Sequence, residues 1–392
     1  MGAKAHDVVN AAPKPRYGEA SLTDLTPSIL AALDVPGFTN ILHVPTGKRV
    51  GLLIVDGLGW ELLRQYEDDA PFLTSLAQQG RHITSGFPST TAASVASIGT
   101  GMTPGEHGLI GYTMALAGQS QAMNVLQWCI YGPDKQDLSK RLPPEKVQPR
   151  ETAFQVACAD GVDVLLVAPA VHEKSGLSRA SIKSGRFRSA VSAGDLVAGM
   201  VEGMSSGDRV FVYGHHNELD TTGHARGCHS ASWRYTLRQI DRMCRSLADA
   251  LPRGATLIIT GDHGMVDLAP AQKLDLADHP KLAAGVRLMA GEGRARYLYT
   301  DQGAADDVLG VWREVVGDRM WVLSRDEAVA AGWFGPSVAD EVRARIGDVV
   351  AAAHGPIGIF QRAIDSGQAG LVGHHGSLTP AEQLVPFLTV AA

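Results

Sequence analysis

The sequence predicts an α/β protein: a doubly wound, mostly parallel sheet flanked by helices, with a small α+β insertion. Three observations carry this expectation. Four short runs, "RVGLLIVDG" (49–57), "VDVLLVAP" (162–169), "DRVFVYG" (208–214) and "ATLIITGDHG" (255–264), are apolar almost without a break. Strands buried on both faces read this way, and such strands belong to parallel sheets covered by helices. Longer helical patterns lie between the runs, and the resulting βαβα order is that of a doubly wound fold. From about Lys281 to Ala339 the texture changes to shorter, mixed segments, which marks the insertion.

Taken in chain order, residues 1–45 form an N-terminal extension, irregular apart from a helix expected at "LTDLTPSILAALD". Residues 46–280 and 340–392 are assigned to the large α/β domain. Within it, "SASWRYTLRQIDRMCRSLADAL" places Trp233, Leu237, Ile240, Cys244, Leu247 and Leu251 at helical spacing. That stripe reads as core packing. The insertion, 281–339, is built from "ARYLYT", a helix around "AADDVLGVWREVV", then "MWVLS" and "RDEAVAAGWF". The apolar strands of the large sheet are expected to resume at "GDVVAAA" and "IGIFQ" and to end with "GLVGHHGSLTP". No internal repeat or low-complexity segment interrupts this order.

Composition narrows the function. With 45% hydrophobic and 19% charged residues over 392 positions, the chain is long enough for a large core. A formal net charge of −6 argues against a protein that binds nucleic-acid polymers, which is normally basic. No apolar run approaches the roughly 20 residues that a membrane helix needs, and the first twenty residues lack the apolar stretch of a secretory signal. Position 6, where a myristoylation signal wants Ser or Thr, is His6. Cys129, Cys158, Cys228 and Cys244 show no CxxC spacing, so they read as scattered reduced thiols, and a cytoplasmic location is expected.

In open α/β sheets, ligands bind beyond the carboxyl ends of the strands. Those ends are rich in donors here: Asp56 after "GLLIV", Asp220 and His224 in "ELDTTGH" beyond "RVFVY", Asp262 and His263 after "TLIIT", and His374 and His375 after "GLVG". Thr90 and Thr91 follow Gly86 in "FPSTTAAS". Each piece alone has an ordinary reading, since an Asp after a strand often caps a helix or a turn. Together they make a mixed nitrogen and oxygen ligand set that suits Zn²⁺, with enough groups for two ions. Left unpaired on a buried rim, they would cost several kcal/mol in desolvation.

The motifs "LLIVDGLGW", "FPSTTAASVASIGTGMTPGEHGLIGY", "ELDTTGHARG", "IITGDHGM" and "GHHGS" occur in the order found in the alkaline phosphatase superfamily. The chain most resembles the nucleotide pyrophosphatase/phosphodiesterase branch, across residues 50 to 377. This resemblance implies an alkaline-phosphatase-like fold and two divalent metal ions. It places Thr91 at the nucleophile, itself a metal ligand. Asp56, Asp262 and His263 fall on the ligands of the metal that activates it. Asp220, His224 and a histidine of "GHHG" fall on those of the second, and the family's His-Gly pattern selects His375 over His374. The implied activity is hydrolysis of a small phosphoester, most readily a nucleotide-type diester or pyrophosphate, through a covalent phospho-threonine.

The chemistry is consistent with the residues. A threonine hydroxyl is a poor nucleophile at neutral pH without a metal or a base, and two ions about 3.5–4 Å apart can hold the attacking and leaving oxygens of an in-line displacement. Related chemistries are tested by absence: there is neither the C-x-P-x-R of a sulfatase nor the serine motif of a cofactor-independent phosphoglycerate mutase. A phosphomonoesterase or phosphonate hydrolase on the same site remains the alternative, and a metal-binding protein without catalysis a more distant one. The family motif places an Asn three residues beyond the nucleophile, where this chain has Ser94, a candidate substrate-binding hydroxyl. The segment "HEKSGLSRASIKSGRFRS" (172–189) reads as a solvated basic loop or as a mobile substrate loop. His215 and His216 are open between lining the pocket and structural roles, whereas Glu106 and His107 read as structural. The sequence leaves oligomeric state undetermined.

Overall fold

The computed structural model describes residues 13–116 and 120–392. The signal and myristoylation readings at the first twelve residues, including His6, fall outside the described residues. The large sheet has seven strands: β1 (Arg49–Val55), β2 (Arg81–Thr84), β3 (Asp163–Ala168), β4 (Arg186–Ser189), β5 (Val210–His216), β6 (Ala255–Thr260) and β7 (Leu384–Ala391). Their order is β2-β7-β6-β1-β5-β3-β4. The five from β6 to β4 are mutually parallel, and only β7 runs against its neighbours.

Burial on both faces explains the unbroken apolar runs. On β1, Leu53 and Val55 pack on one side with Leu237, Ile240 and Cys244 of the long helix. Val50, Leu52 and Ile54 point the other way, onto Leu25, Ile29 and Phe154. Alternate side chains of one strand thus enter two cores, and no position is left for a polar residue. The helices that frame the functional rim are α1 (Thr91–Thr100), α2 (Gly176–Ser181), α3 (Glu218–Arg226) and α4 (Ala231–Asp249). The stripe expected on α4 is buried from Trp233 to Leu247, and Leu251 packs at its edge.

Three expectations need correction. The runs "GDVVAAA" and "IGIFQ" do not rejoin the large sheet. Val349–Ala353 is the third strand of a separate antiparallel sheet, ordered Val286–Glu292, Ala295–Thr300, Val349–Ala353, Met320–Ser324. Gly358–Phe360 pairs with Lys273–Asp275. The second sheet therefore reaches beyond 281–339, to Ala353. Its third strand looks like a parallel core strand because it too is covered on both faces: Val350 and Ala352 enter one core, Val349, Ala351 and Ala353 another. The "GLVGHHG" segment contributes only Gly373–His374, in a two-stranded ribbon with Val266–Asp267. Finally, the chain adds β7 where the sequence reading placed no strand; Pro386 inside it is the residue that disguises it.

The two sheets are joined by a buried ion pair. Arg294, in the turn between the first two strands of the small sheet, meets both carboxylate oxygens of Glu382 at 3.1 and 2.7 Å, just before β7. Among the described residues no helix is long and apolar enough to cross a membrane, and all four cysteines are unpaired.

Candidate active site

The parallel register sets Val55 beside His216 and Ile54 beside Thr260. The chain therefore leaves β1, β5 and β6 along one rim, which carries Asp56 and, after β6, Asp262 and His263. Two glycines let that last loop pass. A β-carbon at Gly261 would lie 2.3 Å from the Leu58 carbonyl oxygen, and one at Gly264 would lie 2.0 Å from that of Ala381. Beyond β5, α3 presents Asp220 and His224 one turn apart, hence on one face. His375 follows the ribbon strand Gly373–His374. Thr91 opens α1, so the free N–H groups of its first turn face the same rim.

These residues form two trios. Asp56, Asp262 and His263 bring one donor atom each within 4.8 Å of one another, as do Asp220, His224 and His375. His263 Nε2 lies 3.5 Å from Asp56 Oδ1 and from Asp262 Oδ2, and 3.2 Å from the Thr91 hydroxyl. In the second trio, His224 Nε2 is 3.3 Å from Asp220 Oδ1 and from His375 Nε2. The His263 and His375 rings stack at 3.6 Å, which places the trios side by side.

The hydrogen bonds show that something positive is expected between these groups. His263, His224 and His375 each turn Nδ1 to a backbone carbonyl, of Gly264, Gly373 and Ser89, at 2.9, 2.8 and 2.9 Å. A carbonyl only accepts, so each Nδ1 carries the proton and each Nε2 offers a lone pair. The two facing Nε2 atoms of His224 and His375 are then both acceptors. Asp56 Oδ1, Asp220 Oδ1 and Asp262 Oδ2 are buried with no hydrogen-bond partner. Orphaned carboxylate oxygens beside converging lone pairs are the donor set of a divalent cation, so the residues fit the two ions. Burial first, and then the neighbouring charges of Asp262 and Asp220, push the Asp56 carboxyl well above its ordinary range. Burial likewise raises Asp220 and holds His375 well below the usual imidazole value.

Other expected residues fall elsewhere. Ser94 does not face the pocket: its hydroxyl donates to the Asp262 carbonyl at 2.8 Å and contacts Ser85 Oγ at 3.0 Å. It supports the Asp262 loop. His374 turns Nε2 to the Leu371 carbonyl and packs on Phe360, leaving His375 alone to face the trio. His107 is buried against Ser97, and Glu106 caps its own short helix, both structural as expected.

A cavity of about 270 Å³ opens beside Thr91, Asp56 and Asp220. Its wall is largely apolar, from Val95, Leu126, Leu166, Leu177, Ile182 and Phe187, with Ser175, Ser178, His172, His215 and Asn217 as its polar positions. Segment 172–189 holds α2 and edge strand β4. Four of its five basic side chains are engaged away from the cavity: Arg179 with Glu145, Arg186 with Asp163, Arg188 with Glu202 and Asp195, and Lys183 with the carbonyls of Gln148 and Arg150; Lys174 is exposed. Sequence reasoning missed His172 and Asn217 and left His215 open. His215 reaches Asp56 Oδ2 at 3.2 Å, and burial pushes its imidazole down to about 3. The place of His215 and Asn217 at the carboxyl end of β5 was the available signal.

The family model described as type I phosphodiesterase/nucleotide pyrophosphatase matches residues 50–378. The chain belongs to this family. None of the curated proteins with which the sequence was compared matches it. Among solved structures, murine ectonucleotide pyrophosphatase/phosphodiesterase 5, as an inactive threonine-to-alanine variant in complex with AMP, superimposes with a TM-score of 0.66 at 17% identity. The human protein of the same name gives 0.65, also at 17% identity. In both cases 88% of this chain and 88% of the other are covered. At that identity the likeness establishes the fold: the phosphodiesterase family's mixed α/β architecture with a mostly parallel central sheet.

Proposed function

We propose that this family member hydrolyses phosphodiesters or pyrophosphates of nucleotide type, with Thr91 as nucleophile and two divalent ions, Zn²⁺ by their ligand set, held by Asp56, Asp262, His263 and Thr91 and by Asp220, His224 and His375. The ions would supply the Lewis acidity that lowers the pKa of the Thr91 hydroxyl and neutralises the leaving oxygen. His263 orients the Thr91 hydroxyl, and the opening turn of α1 directs its N–H groups to the phosphate. The Thr91 oxygen forms the new bond to phosphorus as the ester oxygen leaves and the hydroxyl proton is released. Water then cleaves the phospho-threonine, regenerating the hydroxyl.

The cavity carries the choice of diester over monoester. A monoester dianion calls for an Arg or Lys clamp, whereas a diester needs an apolar wall for its second substituent. The cavity beside Thr91 is lined by no Arg or Lys, and Arg179, Arg186 and Arg188 of the adjoining segment are paired elsewhere. The AMP bound to the murine relative supports a nucleoside as that substituent. The test is the ratio of kcat/KM for bis-nitrophenyl phosphate, or a nucleotidyl nitrophenyl ester, to that for nitrophenyl phosphate. We expect the diester to lead by at least about a hundredfold, roughly 2.7 kcal/mol of transition-state discrimination. A preference for the monoester would instead establish the phosphomonoesterase alternative.

A further inference from the structure

Gly227 to Ser230 form the turn that joins α3 to α4. Cys228, within this turn, is fully buried, and its neighbour His229 is exposed. Facing them is Asp267, on the ribbon strand that pairs with Gly373–His374. Asp267 Oδ1 accepts from the Cys228 amide at 2.8 Å and from its thiol at 3.2 Å. His229 Nδ1 meets the Tyr66 hydroxyl at 2.8 Å. One donor atom from each of Cys228, His229 and Asp267 comes within 4.8 Å of the others, the same convergence that marks the two catalytic trios.

We propose that Cys228, His229 and Asp267 form a third cation site, structural in role and suited to Zn²⁺. The chemistry of the donors selects the ion. A thiolate beside an imidazole and a carboxylate excludes Mg²⁺ and Ca²⁺, which want oxygen, and favours a tetrahedral, borderline-soft ion whose fourth position water can fill. Loading breaks the S–H bond, forms the sulfur–metal bond and releases one proton to solvent. Asp267, which now accepts that thiol hydrogen, then turns its oxygen to the ion. None of the other cysteines has such companions: among the described residues, only this cluster of three combines sulfur with nitrogen and oxygen donors.

The position of the cluster gives the ion a purpose. Cys228 follows α3, which carries Asp220 and His224. The ribbon that holds Asp267 leads through its partner strand to His375. The same two elements are already stitched by His224 Nδ1 donating to the Gly373 carbonyl and by the Val372 amide donating to the His224 carbonyl at 2.7 Å. An ion at Cys228–Asp267 would clamp them from behind. It would fix the spacing between the two halves of the second catalytic trio without touching substrate.

Cobalt substitution isolates this site, because neither catalytic trio contains sulfur. The full chain, stripped and reloaded with Co²⁺, should bind about three ions and show a near-ultraviolet thiolate-to-cobalt charge-transfer band. Cys228→Ala and His229→Ala should each lose the band and about one ion. His229 is exposed, so His229→Ala leaves the core intact and keeps the test decisive if Cys228→Ala folds poorly. A wild-type chain that binds about two ions with no such band overturns the proposal, as does a band that survives His229→Ala. A band with only about one ion bound would support this site while removing the catalytic metal reading.

Discussion

Ser94 shows how the partner a hydroxyl finds can differ from the one its spacing suggests. On α1, Thr91 and Val95 stand one turn apart and both line the cavity, while Ser94 lies on the flank of that stripe and meets the carbonyl of Asp262. Spacing along a chain tells which residues share a helix, not which neighbouring loop will claim a hydroxyl. Ser94→Ala is expected to cost about 1 kcal/mol in thermal or denaturant unfolding, the worth of a typical buried hydrogen bond. KM for a diester should stay within about twofold of wild type, under 0.5 kcal/mol; a tenfold rise would return Ser94 to the substrate. The metal-ligand candidates were legible for a different reason. Asp56, Asp262 and His263 sit directly at strand ends, where the fold leaves little freedom, and Asp220 and His224 are bound to one helical face by their spacing. The choice of His375 over His374 came from motif resemblance, and the structure supplies its physical basis: His374 is tied back to Leu371, its own chain.

At the scale of elements, the "GDHG" loop depends on what it passes. Gly261 and Gly264 are hemmed in by carbonyl oxygens of Leu58 and Ala381, backbone atoms that cannot swing aside as a side chain would. Gly264→Ala should therefore destabilise by about 3 kcal/mol, the upper end for overpacking, and should displace Asp262 and His263. Lower metal content together with a lower Tm is the expected result; a variant with wild-type Tm would refute the close approach. Elements whose partners are distant in sequence were the ones misread. The three arginines of segment 172–189 are matched by Glu145, Asp163 and Glu202, and only the tertiary structure brings them there. Val349–Ala353 was assigned to the wrong sheet because double burial, the feature used to recognise parallel strands, also occurs in the middle of the small antiparallel sheet.

On the scale of the whole molecule, the two sheets meet at the active site. Glu292, at the end of the first strand of the small sheet, accepts from the Thr90 hydroxyl at 3.4 Å and lies 3.7 Å from His375 Nδ1. Through it the small sheet touches both Thr90, beside the proposed nucleophile, and a metal-ligand candidate, so the site is a joint product of two layers. A rim of buried carboxylates is also a liability for the cation-free fold. The Asp56 carboxyl is raised well above its unfolded value near 3.9, so the folded, cation-free protein keeps a proton there that the unfolded chain gives up. That contribution is present at low pH and is lost as pH rises through the folded value. Bound cations take the proton's place and need ionised carboxylates and neutral imidazoles, so their stabilisation grows in the same direction. The stability gap between loaded and chelated protein, read from Tm, should widen from about pH 5 to pH 7, toward about 2.7 kcal/mol per site at a hundredfold excess of free cation over Kd. A gap that narrows over this range would contradict the assignment of these carboxylates.

The central claim is that Thr91 attacks phosphorus from within two cation-binding trios that do not need it to assemble. Thr91→Ala, assayed for diester turnover alongside metal content by elemental analysis, tests it most directly. The account predicts turnover reduced by at least about a thousandfold, some 4 kcal/mol of activation free energy, with bound metal near the wild-type amount. Turnover that persists at the wild-type rate in a metal-replete Thr91→Ala protein would contradict it.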